Sequence, residues 1–257
     1  MQPNLDLLEV LARKAGEILR QGQEQGFQIS FKGEIDLVTE VDHRSEAFLL
    51  GEITRQFPAH HIISEEAGEV QGDSECLWYV DPIDGTVNYA HGVPFFGVSI
   101  AYQKNGQVHL GVVYDPMRDE CYSAERGRGA RLNGRRLQAS TQSSLDQSLL
   151  VTGFPYDIRT NPDNNLDNYV RLSLRAQAVR RLGSAALDLC YVAAGRVDGF
   201  WEIRLKPYDI AAGGLIAEEA GARVTNMQGS ADYLSAPVSI LAAPQAVHSE
   251  LLALLSA

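Results

Sequence analysis

The sequence predicts a mixed helix-and-sheet protein, an α+β first half followed by an α/β second half. Three observations predict it. Two segments near the N-terminus carry apolar residues at helical spacing. A series of short apolar runs follows, with Asn-Gly turns among them. From about Ser148, strand-type and helix-type stretches alternate. A chain of 257 residues fits one large domain or two intimately packed halves. Residues 1–145 are expected to form the α+β half with an antiparallel sheet, and residues 146–257 the α/β half. No linker, repeat or low-complexity tract separates them, so they pack as one unit.

In the first helix Leu8, Leu11, Ala12, Ala15, Ile18 and Leu19 share a face, Asn4 caps the start, and Gly22 and Gly26 close the end. A second helix starts near Thr39, buries Val41, Phe48, Leu49 and Ile53, and stops at Pro58. Strand-type runs follow at 60–64, 77–80 and 95–103. The last turns through Asn105-Gly106 into "QVHLGVVYD", and a second hairpin is expected at Asn133-Gly134. In the second half "SLLVTGF" reads as a strand, "NLDNYVRLSLRAQ" as an amphipathic helix and "AVRRLG" as a strand. "SAALDLCYVAAG" reads as a helix capped by Ser184. "GFWEI", a helix opened by Asp209, the strands "ARVTN" and "VSILAA", and a final helix begun by Pro244 complete the chain.

The formal net charge of −11 argues against nucleic acid as the main partner. No stretch has the length and apolarity of a bilayer-spanning helix, and the N-terminus lacks a basic flank followed by an apolar core. Cys76, Cys121 and Cys190 are odd in number and far apart, as reduced thiols of a cytoplasmic protein would be. An acidic chain would repel an anionic substrate unless a divalent cation intervened.

The stretch "WYVDPIDGTVNYAHGVPF" is the most informative. Leu77-Trp78-Tyr79-Val80 is a buried-strand run, yet Asp81 and Asp84 end it three residues apart. Charge at a strand end is costly without compensation, and a second acid raises the cost. A bound cation is the compensation these residues call for. Pro82 ends the ladder, Gly85 permits close backbone approach, and Thr86 opens a short helix. The N–H groups of Gly85 and Thr86 can hold an anion beside the cation, the arrangement phosphoryl transfer requires. Three further acidic spots sit where elements begin or end: Glu65-Glu66, Asp36 and Asp209. Each has a plain structural alternative: a solvated loop pair, a turn residue and an N-cap. The spacing of Asp81 and Asp84 fits neither a calcium-binding EF-hand loop nor an Asp-x-Asp-Gly-Thr aspartyl-phosphate phosphatase.

Five stretches together resemble the inositol monophosphatase family of lithium-sensitive, magnesium-dependent sugar phosphatases. They are "DLVTEVD" at 36–42, "SEEAGE" at 64–69, "WYVDPIDGTVNYAHGVPFFGVSIA" at 78–101, "GSAALDLCYVAAGRVDGFWE" at 183–202 and "PYDIAAGGLIAEEAGA" at 207–222. They stand in the family's order and span most of the chain. The resemblance implies a layered αβαβα sandwich of the inositol monophosphatase and fructose-1,6-bisphosphatase type. It also implies Mg²⁺ as cofactor, hydrolysis of a small phosphorylated polyol or sugar, and a homodimer; no membrane partner is expected, since no stretch has bilayer-spanning length. Residue by residue, it implies one Mg²⁺ on Glu65, Asp81 and the carbonyl of Ile83, and a second on Asp81, Asp84 and Asp209. A third, weaker one would lie near Glu65. Asp36 would hydrogen-bond Thr86, and that pair with the first metal would activate water. Gly85 and Thr86 amides would hold phosphate, while Asp84, Ala185 and Glu202 would contact the departing alcohol. Tyr208 and Val87 depart from the family's frequent Trp and Thr, outside the ligand set.

Inositol monophosphate hydrolysis by metal-activated water is the leading expectation. Fructose-1,6-bisphosphate, histidinol phosphate, NADP(H) and 3′-phosphoadenosine 5′-phosphate are alternative substrates within the same fold. A metal-binding protein that docks a partner is an alternative of a different class. A nucleotide-binding module ranks last, because no glycine fingerprint follows a strand.

Overall fold

The computed structural model describes residues 2–31 and 37–255. Helix α1 (Leu5–Gln25) buries Leu8, Leu11, Ala12, Ala15 and Leu19; Asn4 accepts the Leu7 amide at its start, and Gly26, at φ 80°, ends it. Strands β1 (Ile29–Phe31) and β2 (Leu37–Thr39) form a small antiparallel pair. Helix α2 (Glu40–Gln56) opens on a capping box, in which Thr39 accepts from the first turn and Asp42 accepts from the Thr39 amide.

A large sheet follows, built from β3 (His60–Ser64), β4 (Gly68–Val70), β5 (Asp73–Asp84), β6 (Gly97–Lys104), β7 (Gln107–Asp115), β8 (Glu120–Glu125), β9 (Ala130–Leu132) and β10 (Arg135–Arg136). Helix α3 (Thr86–Ala90) sits between β5 and β6. The strand order is β10-β9-β8-β7-β6-β5-β3-β4, antiparallel except where β3 runs parallel to β5. The second part holds β11 (Leu149–Thr152), α4 (Leu166–Ser173), β12 (Ala178–Arg180), α5 (Ala185–Ala193), β13 (Gly199–Ile203), α6 (Pro207–Glu219), β14 (Arg223–Thr225), β15 (Ser239–Ala243) and α7 (Gln245–Leu255). Its five strands are ordered β12-β11-β13-β15-β14.

The pleat sorts side chains into layers. Val98, Ile100 and Tyr102 of β6 and Leu110, Val112 and Tyr114 of β7 pack with α1 and α2. Ala101 and Val113, on the opposite face, join a core with α5 and α6. Both of these helices are almost wholly buried because sheets cover them from two sides; Val151, Phe200 and Ile240 of the smaller sheet close that core. Trp201 and Leu241 turn to the far side and pack on α7. The result is the layered αβαβα sandwich. Close packing of α6 on the large sheet depends on Gly111, where a side chain would come within 2.9 Å of the Ala212 carbonyl.

Two local expectations are corrected. The helix expected over 165–177 stops at Ser173, because the Arg175 and Ala176 amides fold back onto the Leu172 carbonyl and free residue 178 for the sheet. Asp209 does not open α6. Pro207 does, and Asp209 is the third helical residue, accepting the Lys206 amide at 2.7 Å.

Candidate active site

Strand β5 is buried from Leu77 to Asp84, so it delivers two acids into the interior. Asp81 is 2 % exposed and Asp84 9 %. The chain kinks between them, where pairing with β6 is irregular, and Gly85 then turns at φ 98° into α3. At that point a side chain would crowd the Gly183 and Phe95 carbonyls, each 3.1 Å away.

Asp84 faces the N-terminus of α5, accepting from the Ser184 hydroxyl and the Ala186 amide at 2.6 Å each. These bonds join the start of α5 to the end of β5. Glu65 lies in the turn after β3, whose amide reaches the Val80 carbonyl at 3.3 Å. Asp209 comes from the first turn of α6. Glu65, Asp81, Asp84 and Asp209 all line one cavity of about 350 Å³, with Ala185, Asp188 and Glu202 along its wall. Glu202 stands on β13 beside Gly153, where any side chain would overlap the Glu202 carboxylate.

The electrostatics follow from burial and crowding. Burial, then the charges of Glu65, Asp84 and Asp209 together with a hydrogen bond to Glu65, pushes Asp81 well above the usual carboxylate range. Burial raises Asp84 to about 6, against the lowering effect of its bonds to Ser184 and the α5 amides. Burial raises Asp209 well above its ordinary value, opposed by the Lys206 amide, while neighbouring acids add to the rise. Glu202 is raised to about 8 by burial and by Asp84. Among the described residues, no salt bridge reaches Asp81, Asp84 or Asp209.

The donor set is all oxygen; Arg181, Arg204 and Lys206 also line the cavity, yet among the described residues none of them forms a salt bridge with Asp81, Asp84 or Asp209, which suits a hard divalent cation. Among the described residues, no three His, Cys, Asp or Glu side chains stand together tightly enough to form a closed metal cluster. The acids nevertheless share one cavity.

Thr86 was expected to meet Asp36, which lies outside the described residues. The acid placed against it is Asp42: the Thr86 hydroxyl lies 3.2 Å from Asp42 Oδ1 and 2.9 Å from the Ile83 carbonyl. Asp42 also holds the Thr39 amide at 2.8 Å, so α2's cap and the site share one carboxylate. The Thr39-x-x-Asp42 capping pattern was the signal in the sequence that could have found it. Asp188 was missed as well. It is 1 % exposed, burial raises its carboxyl well above the usual range, and Oδ1 has no hydrogen-bond partner among the described residues. A second hollow of about 400 Å³ adjoins the cavity, walled by Val87, Phe154, Pro155, Tyr156 and Ile158 with Arg159 and Arg181.

Among the described residues no helix is long and apolar enough to cross a membrane. The profile of the inositol monophosphatase family matches residues 1–257. The chain is 43% identical over 254 residues to the Escherichia coli K12 protein named Nus factor SuhB, covering 98% of this chain and 95% of that one. It superposes on the inositol monophosphatase from Anabaena (Nostoc) sp. PCC 7120 with a TM-score of 0.89, at 43% identity, covering 98% of this chain and 94% of that one. SaIMPase-II, from Staphylococcus aureus, has been seen with inositol monophosphate bound; its TM-score is 0.82, at 30% identity, covering 96% of this chain and 90% of that one. The same enzyme has also been seen with 2′AMP bound.

Proposed function

The chain belongs to the inositol monophosphatase family and is a phosphatase of that fold, and we propose that it is a Mg²⁺-dependent phosphomonoesterase acting on inositol monophosphate and related polyol phosphates. The observation that carries this reading is the shared cavity of Glu65, Asp81, Asp84 and Asp209, where acids crowd together and, among the described residues, no salt bridge reaches the last three.

Glu65, Asp81, Asp84, Asp209 and the Ile83 carbonyl would hold the metal. Bound there, Mg²⁺ supplies Lewis acidity that lowers the pKa of water and offsets charge on the leaving oxygen. The Thr86 hydroxyl has one proton and two acceptors in reach, Asp42 and the Ile83 carbonyl. Its lone pairs stay available, and since Thr86 lines the cavity they can orient a water for attack. The amides of Gly85 and Thr86 bind the phosphoryl oxygens in line with that water. Asp84, Ala185 and Glu202, which line the same cavity, would contact the hydroxyls of the departing alcohol.

The adjoining hollow favours a wider substrate range. Phe154 and Tyr156 offer aromatic faces and Arg181 a positive charge, which suit a nucleoside as leaving group. A panel of phosphate esters assayed with Mg²⁺ tests the reading. Inositol 1-phosphate should be hydrolysed at least as efficiently as adenosine 2′-monophosphate, and fructose 1,6-bisphosphate less so. A chain that hydrolyses none of them would contradict it.

A docking role beside catalysis is the second reading. The E. coli relative is named a Nus factor. Here Leu166 and Val170 of α4 and Leu174, just past its end, are 44%, 56% and 81% exposed, a row that suits a protein surface. Complementation of a deletion strain by Asp84→Asn separates the two: rescue favours docking, and failure favours catalysis.

A further inference from the structure

Helix α2 carries three buried polar side chains, Asp42, Ser45 and Glu46, at positions i, i+3 and i+4. They form one stripe, and each grips a different segment of the site. Asp42 meets Thr86, and the Ser45 hydroxyl donates to the Pro82 carbonyl at 3.2 Å. Glu46, 5 % exposed, takes three donors on a single oxygen. The Ser64 hydroxyl lies 2.5 Å from Oε1, and the amides of Glu66 and Ala67 each lie 3.0 Å from it.

Those three donors bracket Glu65. The Glu46 carboxylate therefore plugs the turn between β3 and β4 from inside, while the Glu65 amide is tied to Val80 on β5. A partly exposed three-residue turn would otherwise sample many conformations. A charged acceptor shared by two backbone amides and a hydroxyl fixes it more strongly than a neutral one.

We infer that Glu46 is the positioning residue for Glu65: it holds the β3–β4 turn in the one shape that aims the Glu65 carboxylate at Asp81. It sets how tightly the site takes a divalent cation, and it touches neither substrate nor metal. The inference rests on the reading of Glu65 as a metal ligand. The reason for an acid at position 46 is the three donors, which would be left buried and unpaired by an apolar replacement.

Calorimetric titration of the full chain with MgCl₂ tests it, alongside thermal melting without metal. Glu46→Leu should weaken the Mg²⁺ Kd by about 10–100-fold, the range found for partners of metal ligands. Glu46→Gln keeps an acceptor oxygen and should stay much closer to the wild-type chain. Ser64→Ala removes one donor and should fall between. A Glu46→Leu chain that melts earlier but binds Mg²⁺ with unchanged Kd overturns the inference and leaves Glu46 a structural residue. If that variant does not fold, Ser64→Ala decides: unchanged affinity overturns the inference, and weakened affinity supports it. Glu65→Gln is the control. Unchanged Mg²⁺ binding there would overturn the metal-ligand reading itself, a failure distinct from a weakened Glu65→Gln beside an unaffected Glu46→Leu.

Discussion

Strands β5 and β7 flank β6, run in the same direction, and each carries an Asp-Pro dipeptide near its end. One end reads Asp81-Pro82-Ile83-Asp84, the other Asp115-Pro116-Met117-Arg118. In both, the first aspartate is buried and accepts the amide two residues on, from Ile83 at 3.0 Å and from Met117 at 2.9 Å. Then they part. Arg118 returns its own amide at 3.1 Å and its guanidinium at 2.8 Å to Asp115, closing an ion pair. Asp84 brings a second negative charge instead, and Asp81 faces Glu65 and Asp209 as well. The same backbone device is neutralised within the chain at one strand end and left to be neutralised from outside at the other. A buried acid marks a site when its compensating charge is missing, and burial alone does not.

Paired substitutions break or sharpen this contrast. The largest effect is expected from Asp81→Asn, which should lower turnover by at least about a thousandfold, or ~4 kcal/mol of transition-state stabilisation. Its metal-free melting temperature should hold or rise, because one poorly compensated charge leaves the interior. Asp115→Asn should do the reverse. Breaking its ion pair should cost about 2 kcal/mol, below the range for fully buried pairs because Arg118 is 39% exposed. That is roughly 4–8 °C in Tm, with kcat unchanged. Thermal melting and steady-state kinetics on both variants check the pair, and equal effects on both would erase the distinction.

A smaller effect lies in pH. Glu202 is held up to about 8 by burial, so the folded state keeps a proton that the unfolded chain has released. Its contribution to stability therefore falls as pH rises towards 8. His248 is lowered to about 4 by burial and opposes this only below its ordinary value of 6.5. Between pH 6.5 and 8 the metal-free chain should lose about 1–2 kcal/mol from Glu202 alone. Denaturant unfolding across that window measures it. Glu202→Gln should make the slope shallower, the other raised acids of the site keeping part of it; a flat wild-type profile would contradict a protonated Glu202.

Much of this was legible in the sequence, for local reasons. Asp81 and Asp84 stood out because the run before them is so apolar. The Asn105-Gly106 hairpin and the caps at Asn4, Thr39 and Ser184 are signalled within a few residues. What escaped notice depends on chain returning from far away. Glu46 carries no local signal, because the turn it holds lies 18–21 residues on. Asp188 hides in "SAALDLCYVAA", an apolar helix in which one acid looks like a solvated face. It is buried because sheets cover α5 on two sides. Asp42 was passed over for Asp36, since order along the chain does not say which acid of "DLVTEVD" faces Thr86.

The central claim is that Glu65, Asp81, Asp84 and Asp209, drawn from three separate stretches, share divalent cations in one cavity. Anomalous diffraction from crystals soaked in Mn²⁺ and phosphate tests it most directly. The account predicts peaks within about 2.5 Å of oxygens from at least three of the four acids, with phosphate density against the Gly85 and Thr86 amides. An ordered cavity without a peak, or peaks held only by other residues, would contradict it.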